Sequence, residues 1–208
     1  MQAKRILFKE YVENGFKDGG LTIFDIDDTL FHTTATINVK KDGKVIKSLT
    51  NQQFNTYKLG KGEEFDFAEF KNAEKFAKES QPIGKMLEKA RAIIAHSEKT
   101  ANSKVVIITA RDDFDDKEKF LDTFRKHGID IDKVRVERAG KIKSIEGPDV
   151  KKYIIIHNML NTKQFSRVRL FDDSITNLKT FLKLKEIFPS IQFKAFFVKS
   201  DGSLKQVK

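Results

Sequence analysis

The chain has 208 residues, a formal net charge of +10, 39% hydrophobic residues and no cysteine. That length fits one domain with room for an inserted lobe, and 19 Phe can furnish a core. The missing cysteines exclude disulfides, thiolate catalysis and zinc–thiolate centres, and no apolar run approaches the roughly 18 residues of a membrane span. The first ten residues hold no long apolar stretch, so no export signal and no membrane partner are expected, and the chain reads as cytoplasmic. The basic excess attracts polyanions, nucleic acid among them. Only eight of the 40 basic residues are Arg, however, and Lys is less suited to bidentate phosphate recognition.

In chain order, residues 4–15 suit a short helix closing at Gly15, and Asp18-Gly19-Gly20 a turn. Residues 21–25 read as a buried strand, short, apolar and bounded by Gly and Asp. Residues 36–50 predict a hairpin around Asp42-Gly43. Residues 66–79 space Phe67, Phe70, Ala73, Phe76 and Ala77 as one helical face. Pro82 is expected to open a second helix through about residue 97. A buried strand follows at 104–109, a helix at about 116–127 ended by Gly128, and a short strand at 131–136. Pro148 starts a helix over about 149–160. A strand at 167–171, a helix at about 175–187 and a strand at 191–198 complete the chain. Strands alternating with helices predict an α/β fold, a Rossmann-like three-layer sandwich around a parallel sheet. The segment 31–81 would be a small insert after the first strand.

Ligands of such sheets bind at the C-terminal ends of strands. Three strands end in polar groups there: Asp25 and Asp27; Thr109-Ala110-Arg111; and Asp172-Asp173-Ser174. Acids at the tip of a buried strand are costly unless a cation meets them. Phosphoryl transfer from an ester would use them all. Asp25 can act as nucleophile. Asp27 can protonate the leaving group and then deprotonate water. Thr109 and Thr29 can bond phosphate oxygens, and Arg111 can contact substrate or simply pair with Asp112, Asp113 or Asp115. Mg²⁺ takes carboxylate and carbonyl oxygens, which Asp25, Asp27 (through its carbonyl), Asp172 and Asp173 could supply. Asp172-Asp173 could equally cap the following helix. A lysine should neutralise the phospho-enzyme, and Lys141, Lys143, Lys151 and Lys152 are available. Positions i+3, i+4, i+7 and i+8 from Lys152 are all apolar, which puts it at the head of a buried stripe; Lys151 is second choice. His32 follows the first motif and could touch substrate, but reads rather as a solvated loop histidine; His96, His127 and His157 are assigned no role.

Asp25-Ile26-Asp27-Asp28-Thr29, Ile108-Thr109-Ala110-Arg111, Lys152 and Phe171-Asp172-Asp173 resemble, in order, the four motifs of the haloacid dehalogenase-like (HAD) superfamily. The resemblance implies a Rossmann-like sheet, Mg²⁺ dependence, an aspartyl-phosphate intermediate and, for inserts like 31–81, a cap over the site. An acid at position 27 resembles the phosphatase and mutase branches rather than dehalogenases or transport ATPases. The Thr-Ala-Arg motif and later Asp-Asp resemble the phosphatase half of polynucleotide kinase-phosphatases, which implies a nucleotide or nucleic-acid-end phosphate as substrate. Small-metabolite phosphatases, such as sugar-phosphate phosphatases, are the alternative, and a non-catalytic binding module of this fold is a third. In the insert, Phe54, Tyr57, Phe65, Phe67 and Phe70 could stack on a base or form the insert's own core. Oligomeric state is not legible.

Overall fold

The computed structural model describes residues 19–54, 56–100, 102–143, 147–162 and 165–208. The helix expected at 4–15 lies outside these residues. Strands β1 (Gly20–Phe24), β2 (Phe31–His32), β3 (Ile37–Lys41) and β4 (Lys44–Leu49) precede a short helix, α1 (Asn51–Phe54). Then come β5 (Glu63–Asp66), α2 (Ala73–Glu79), β6 (Gln81–Pro82), α3 (Gly84–Glu98), β7 (Lys104–Thr109) and α4 (Lys117–Lys126). The last part holds β8 (Arg135–Arg138), α5 (Pro148–Leu160), β9 (Arg167–Asp172), α6 (Ile175–Leu182), α7 (Leu184–Ile187), β10 (Gln192–Val198) and β11 (Leu204–Val207).

The main sheet runs β11-β10-β9-β1-β7-β8. All neighbours pair parallel except β10 and β11. The α/β architecture expected from the alternation is therefore present, with an antiparallel edge strand that the sequence pattern did not announce. β11 is half polar and only partly buried, which leaves its apolar alternation faint.

Each sheet face carries its own core. Leu21, Ile23, Val106, Ile108, Val168 and Leu170 pack against Ile156, Leu160, Leu178 and Phe181 of α5 and α6. Phe24, Ile107 and Phe171 pack on the other face with Met86, Leu87, Phe120 and Phe124 of α3 and α4. These are the two helical layers of a three-layer sandwich. Phe24, Phe171 and Phe196 stack across β1, β9 and β10 at centroid spacings of 4.9 and 5.0 Å. Neighbouring strands are thereby clamped directly beneath the strand ends that carry the acids. Among the described residues no helix is long and apolar enough to cross a membrane.

Several expected elements change. Residues 66–72 are not α-helical: Asp66 pairs with Asn38 in a small β4-β3-β5 sheet, and Ala68–Lys71 form a short 3₁₀ helix. Helix α2 begins only at Ala73 because the Asn72 side chain caps it by accepting from Lys75 N–H. Pro82 does not open α3. It pairs with Phe31, and Ile83 N–H donates to the Leu30 carbonyl at 3.0 Å, so helix starts at Gly84. The strand expected at 131–136 is a 3₁₀ turn followed by β8. The helix expected at 175–187 breaks at Lys183 into α6 and α7.

The aromatic residues of the insert form its own core. Phe70 with Ala35, Ile37, Val39 and Leu49 makes a buried cluster against which Phe54, Tyr57 and Phe65 pack. Phe67 meets Phe54 edge-on at 5.6 Å. Of these rings Phe70 is buried, Phe54, Tyr57 and Phe65 are partly buried, and Phe67 is exposed.

Candidate active site

At the end of β1 the Asp25 N–H donates to the Phe171 carbonyl at 3.0 Å, a last bond to the neighbouring strand. The chain then folds into a tight loop. Thr29, Leu30 and Phe31 N–H groups all donate to the Ile26 carbonyl, and Asp28 adopts φ 54°. Such a left-handed conformation suits Asp better than branched residues, and here it carries the chain back beneath the loop. Because β1 sits between β7 and β9, this loop lies beside the ends of both.

Asp25, Asp172 and Asp173 each offer an oxygen, and the three oxygens lie within 4.8 Å of one another. Of the four lysines considered, Lys152 is the one that reaches this group. Its Nζ stands 2.8 Å from Asp25 Oδ1 and donates to Asp172 Oδ2 at 2.8 Å. Lys152, Ile156 and Leu160 are all buried, the i, i+4, i+8 stripe expected of that helix face. Lys141 instead pairs with Asp113. Asp172 is fully buried and accepts further bonds from Ser174 N–H and from the Asn177 side chain. The cap of α6 is Ser174, whose hydroxyl accepts from Asn177 N–H, and not either aspartate. Asn177 went unnoticed in the sequence; a polar residue in a helix's first turn is too common to signal a contact.

The electrostatics of this group are out of balance. Burial pushes the Asp25 carboxyl up to about 7, Lys152 opposing and the Asp172 and Asp27 charges assisting. Burial also pushes Asp173 up to about 9, with Asp172 and Asp25 adding repulsion. Burial works against the Lys152 charge, yet Asp172 and Asp25 outweigh it and hold the ammonium protonated. One lysine thus faces three carboxylates. Among the described residues Thr29 Oγ1 is also buried without a hydrogen-bond partner, and Asp25 Oδ1 meets only the Lys152 ammonium. An all-oxygen donor set with surplus negative charge fits a hard divalent cation such as Mg²⁺.

A pH dependence follows. The folded pKa values of Asp25 and Asp173 lie above the ordinary 3.8, so the folded state holds protons that the unfolded chain releases. Without divalent cation, thermal stability should therefore be highest near pH 4 for these groups. It should fall as pH rises through about 7 and about 9. Thermal unfolding from pH 5 to 9 should show that fall, and added Mg²⁺ should raise Tm more at the alkaline end. A Mg²⁺ effect independent of pH would count against these carboxylates as its ligands.

Thr109 is buried, and its hydroxyl accepts from Arg111 N–H at 3.1 Å, leaving its own proton to donate. Arg111 does not pair with its acidic neighbours in sequence. Its guanidinium is buried and grips Asp27, Nη2 donating to Oδ1 at 2.6 Å and Nε to Oδ2 at 3.0 Å. Nη1 donates to the Phe70 carbonyl, and the rings of Phe70, Phe76 and Phe114 surround the group at 4.8–5.6 Å. The reason is topological. β7 ends beside β1, which sets residue 111 against residue 27, while Asp112 pairs with Lys71 and Asp115 caps Ala73 N–H. The Arg111 guanidinium is thus committed to Asp27 rather than to Asp112, Asp113 or Asp115. Thr33 Oγ1 adds a 2.7 Å bond to Asp27 Oδ1. Thr29 is wholly buried within the loop.

His32 also has a structural place. Its ring nitrogens lie 3.2 Å from Asp28 Oδ1 and 2.9 Å from the Ser200 carbonyl, tying the start of the insert to the β10–β11 turn. A cavity of about 400 Å³ lined by Leu21, Ser103, Val105, Met159 and Phe165 opens at the opposite end of the sheet and contains none of these groups.

No family model matches the chain, and no curated protein matches it. Among solved structures it is similar to the HAD domain of the effector protein Lem4 from Legionella pneumophila. The identity is 17% and the TM-score 0.46, over 86% of this chain and 85% of that one.

Proposed function

We propose that this chain is a Mg²⁺-dependent phosphomonoester hydrolase of the HAD type that works through an aspartyl-phosphate on Asp25. The observation that carries the reading is the meeting of Asp25, Asp172, Asp173 and buried Lys152 at adjoining strand ends. The order of the sequence motifs and the mostly parallel sheet support it. Asp25, Asp172 and Asp173 would hold Mg²⁺, which supplies charge neutralisation for the phosphoryl oxygens when bound. Asp25 attacks phosphorus, and the leaving alkoxide takes a proton from Asp27. Asp27 then removes a proton from the water that hydrolyses the acyl phosphate. Lys152 offsets the charge on the phosphorylated aspartate, and Thr109 donates its hydroxyl proton to a phosphoryl oxygen.

The test is hydrolysis of p-nitrophenyl phosphate by the purified chain. We expect turnover with Mg²⁺, loss with EDTA and recovery when Mg²⁺ is restored in excess. Absence of metal-dependent turnover on any phosphate ester would refute the reading and leave a binding module.

For the substrate we infer a nucleotide or nucleic-acid-end phosphate, supported by the +10 charge. A second reading, a sugar phosphate, is favoured by the commitment of the insert's aromatic residues to its own core. A screen of nucleoside monophosphates, sugar phosphates and end-phosphorylated oligonucleotides separates the two.

Arg111 enters as a positioning residue, since it touches Asp27 and not the reacting atoms. Arg111→Met keeps the apolar contacts and removes the grip, and should lower kcat about 10²-fold with KM little changed. In an Asp27→Asn background the same change should have almost no further effect. Equal losses in both backgrounds would assign Arg111 a general structural role instead.

A further inference from the structure

Away from the strand ends, one face of the sheet carries cations without acids. Paired residues in parallel strands share a face, so the register sets Thr22, Arg169 and Lys194 in one row and Gly20, Arg167 and Gln192 in the row before it. Arg169 and Lys194 are directly opposite each other, a like-charge pairing that weakens a sheet. Arg167 is one pleat away on the same face, about 6.6 Å along β9. Among the described residues no carboxylate pairs with any of the three. Burial lowers the pKa of Arg169, and the charge of Arg167 lowers it further.

The arrangement is built rather than incidental. Arg169 Nε donates to Thr22 Oγ1 at 3.2 Å, and that threonine is 2% exposed, so the guanidinium is anchored at its root. Arg167 lies across Gly20, where a Cβ would meet its Nε at 2.9 Å. A side chain at position 20 would push Arg167 away from this row. Arg167 and Lys194 are exposed and Arg169 is half-buried, on a pleated face rather than inside a cavity.

We propose that Arg167, Arg169 and Lys194 form a contact site for the phosphodiester backbone of a single-stranded nucleic acid. Two guanidiniums suit phosphate oxygens. Cations spaced along a flat face suit a chain of anions laid over it better than one enclosed ion. The overall charge of +10 favours the approach of such a polyanion. The site stands apart from the phosphatase reading. Asp172 follows Arg169 by three residues, about 10 Å along β9, so a strand held here could bring its end toward the candidate active site. That link alone rests on the phosphatase reading.

Fluorescence anisotropy with a labelled oligodeoxythymidylate twelve nucleotides long tests the site. Wild type should bind with salt-sensitive affinity. Arg167→Gln/Arg169→Gln/Lys194→Gln should weaken binding at least about tenfold near 0.1 M salt and reduce the log–log salt slope by about 2, three contacts at about 0.7 each. Should the triple variant fail to fold by circular dichroism, Arg167→Gln/Lys194→Gln changes only exposed side chains and should lose about two-thirds of that slope. Lys44→Gln/Lys58→Gln/Lys61→Gln, matched in charge on the insert, should change affinity less than about threefold. Equal weakening by both triple variants would reduce the effect to net charge and overturn the site. So would no binding by wild type, or a preference for polyglutamate or phosphatidylserine vesicles over the oligonucleotide. Oligonucleotide binding that responds to these variants in a chain without phosphatase turnover would uphold this site and remove the phosphatase reading.

Discussion

Replacing Asp25 by Asn is expected to lower Mg²⁺-dependent phosphate ester hydrolysis on the order of 10⁴-fold, as loss of a covalent nucleophile does. The amide has the same shape but cannot attack phosphorus, and it gives a cation one charge less to bind. Stability should move the other way. Asp25 is disfavoured as an anion by burial and by Asp172 and Asp27, so the neutral amide relieves repulsion at alkaline pH. Without Mg²⁺ at about pH 8, Asp25→Asn should melt no lower than wild type, and its Tm should respond less to added Mg²⁺. That pairing of lost activity with retained stability marks a residue placed for function at the expense of stability. If activity and Tm fell together, Asp25 would be a packing residue. If activity persisted, another group would be the nucleophile.

Lys152→Met is the second large effect and has the opposite stability signature. The ammonium bridges Asp25 and Asp172 at 2.8 Å on each side and is almost wholly enclosed. Removing one partner of a buried ion pair costs about 3–5 kcal/mol because the other partner remains. The Lys152 pKa is raised above its usual value, so its contribution is fully present at neutral pH and fades only in strong alkali. The carboxylates left behind can take up protons at low pH. The destabilisation of Lys152→Met should therefore be small near pH 5, larger near pH 8, and partly offset by Mg²⁺. Urea unfolding at the two pH values, with and without Mg²⁺, measures this directly. A pH-independent loss would mean that packing of the lysine stem, not its charge, holds the site. Turnover should fall about 10³-fold even where the variant is folded, because nothing else among the described residues neutralises the phosphorylated aspartate.

The acids at the strand ends were legible because charge stands directly after buried apolar residues. Leu21-Thr22-Ile23-Phe24 leads to Asp25 and Leu170-Phe171 to Asp172, and both breaks stand at the end of the sheet where ligands gather. Lys152 was legible for a related reason. It is the polar head of a stripe whose later members, Ile156 and Leu160, are buried, so helical periodicity alone set its direction. Helix boundaries were less legible. The face from Phe67 to Ala77 had helical spacing, yet pairing of Asp66 with Asn38 and the cap at Asn72 ended it early. Long-range pairing outweighed local propensity there.

Sequence by itself determined the alternation of strands and helices, the two-faced core and the polar groups at three strand ends. Each follows from local periodicity and from the cost of burying charge. Only the tertiary structure decided what those groups meet. The placement of β7 next to β1 turned Arg111 onto Asp27 and away from its acidic neighbours in sequence. The register of β1, β9 and β10 set Arg167, Arg169 and Lys194 side by side. Such pairings join residues far apart in the chain, so no local pattern encodes them; they are fixed only when the strands choose their neighbours.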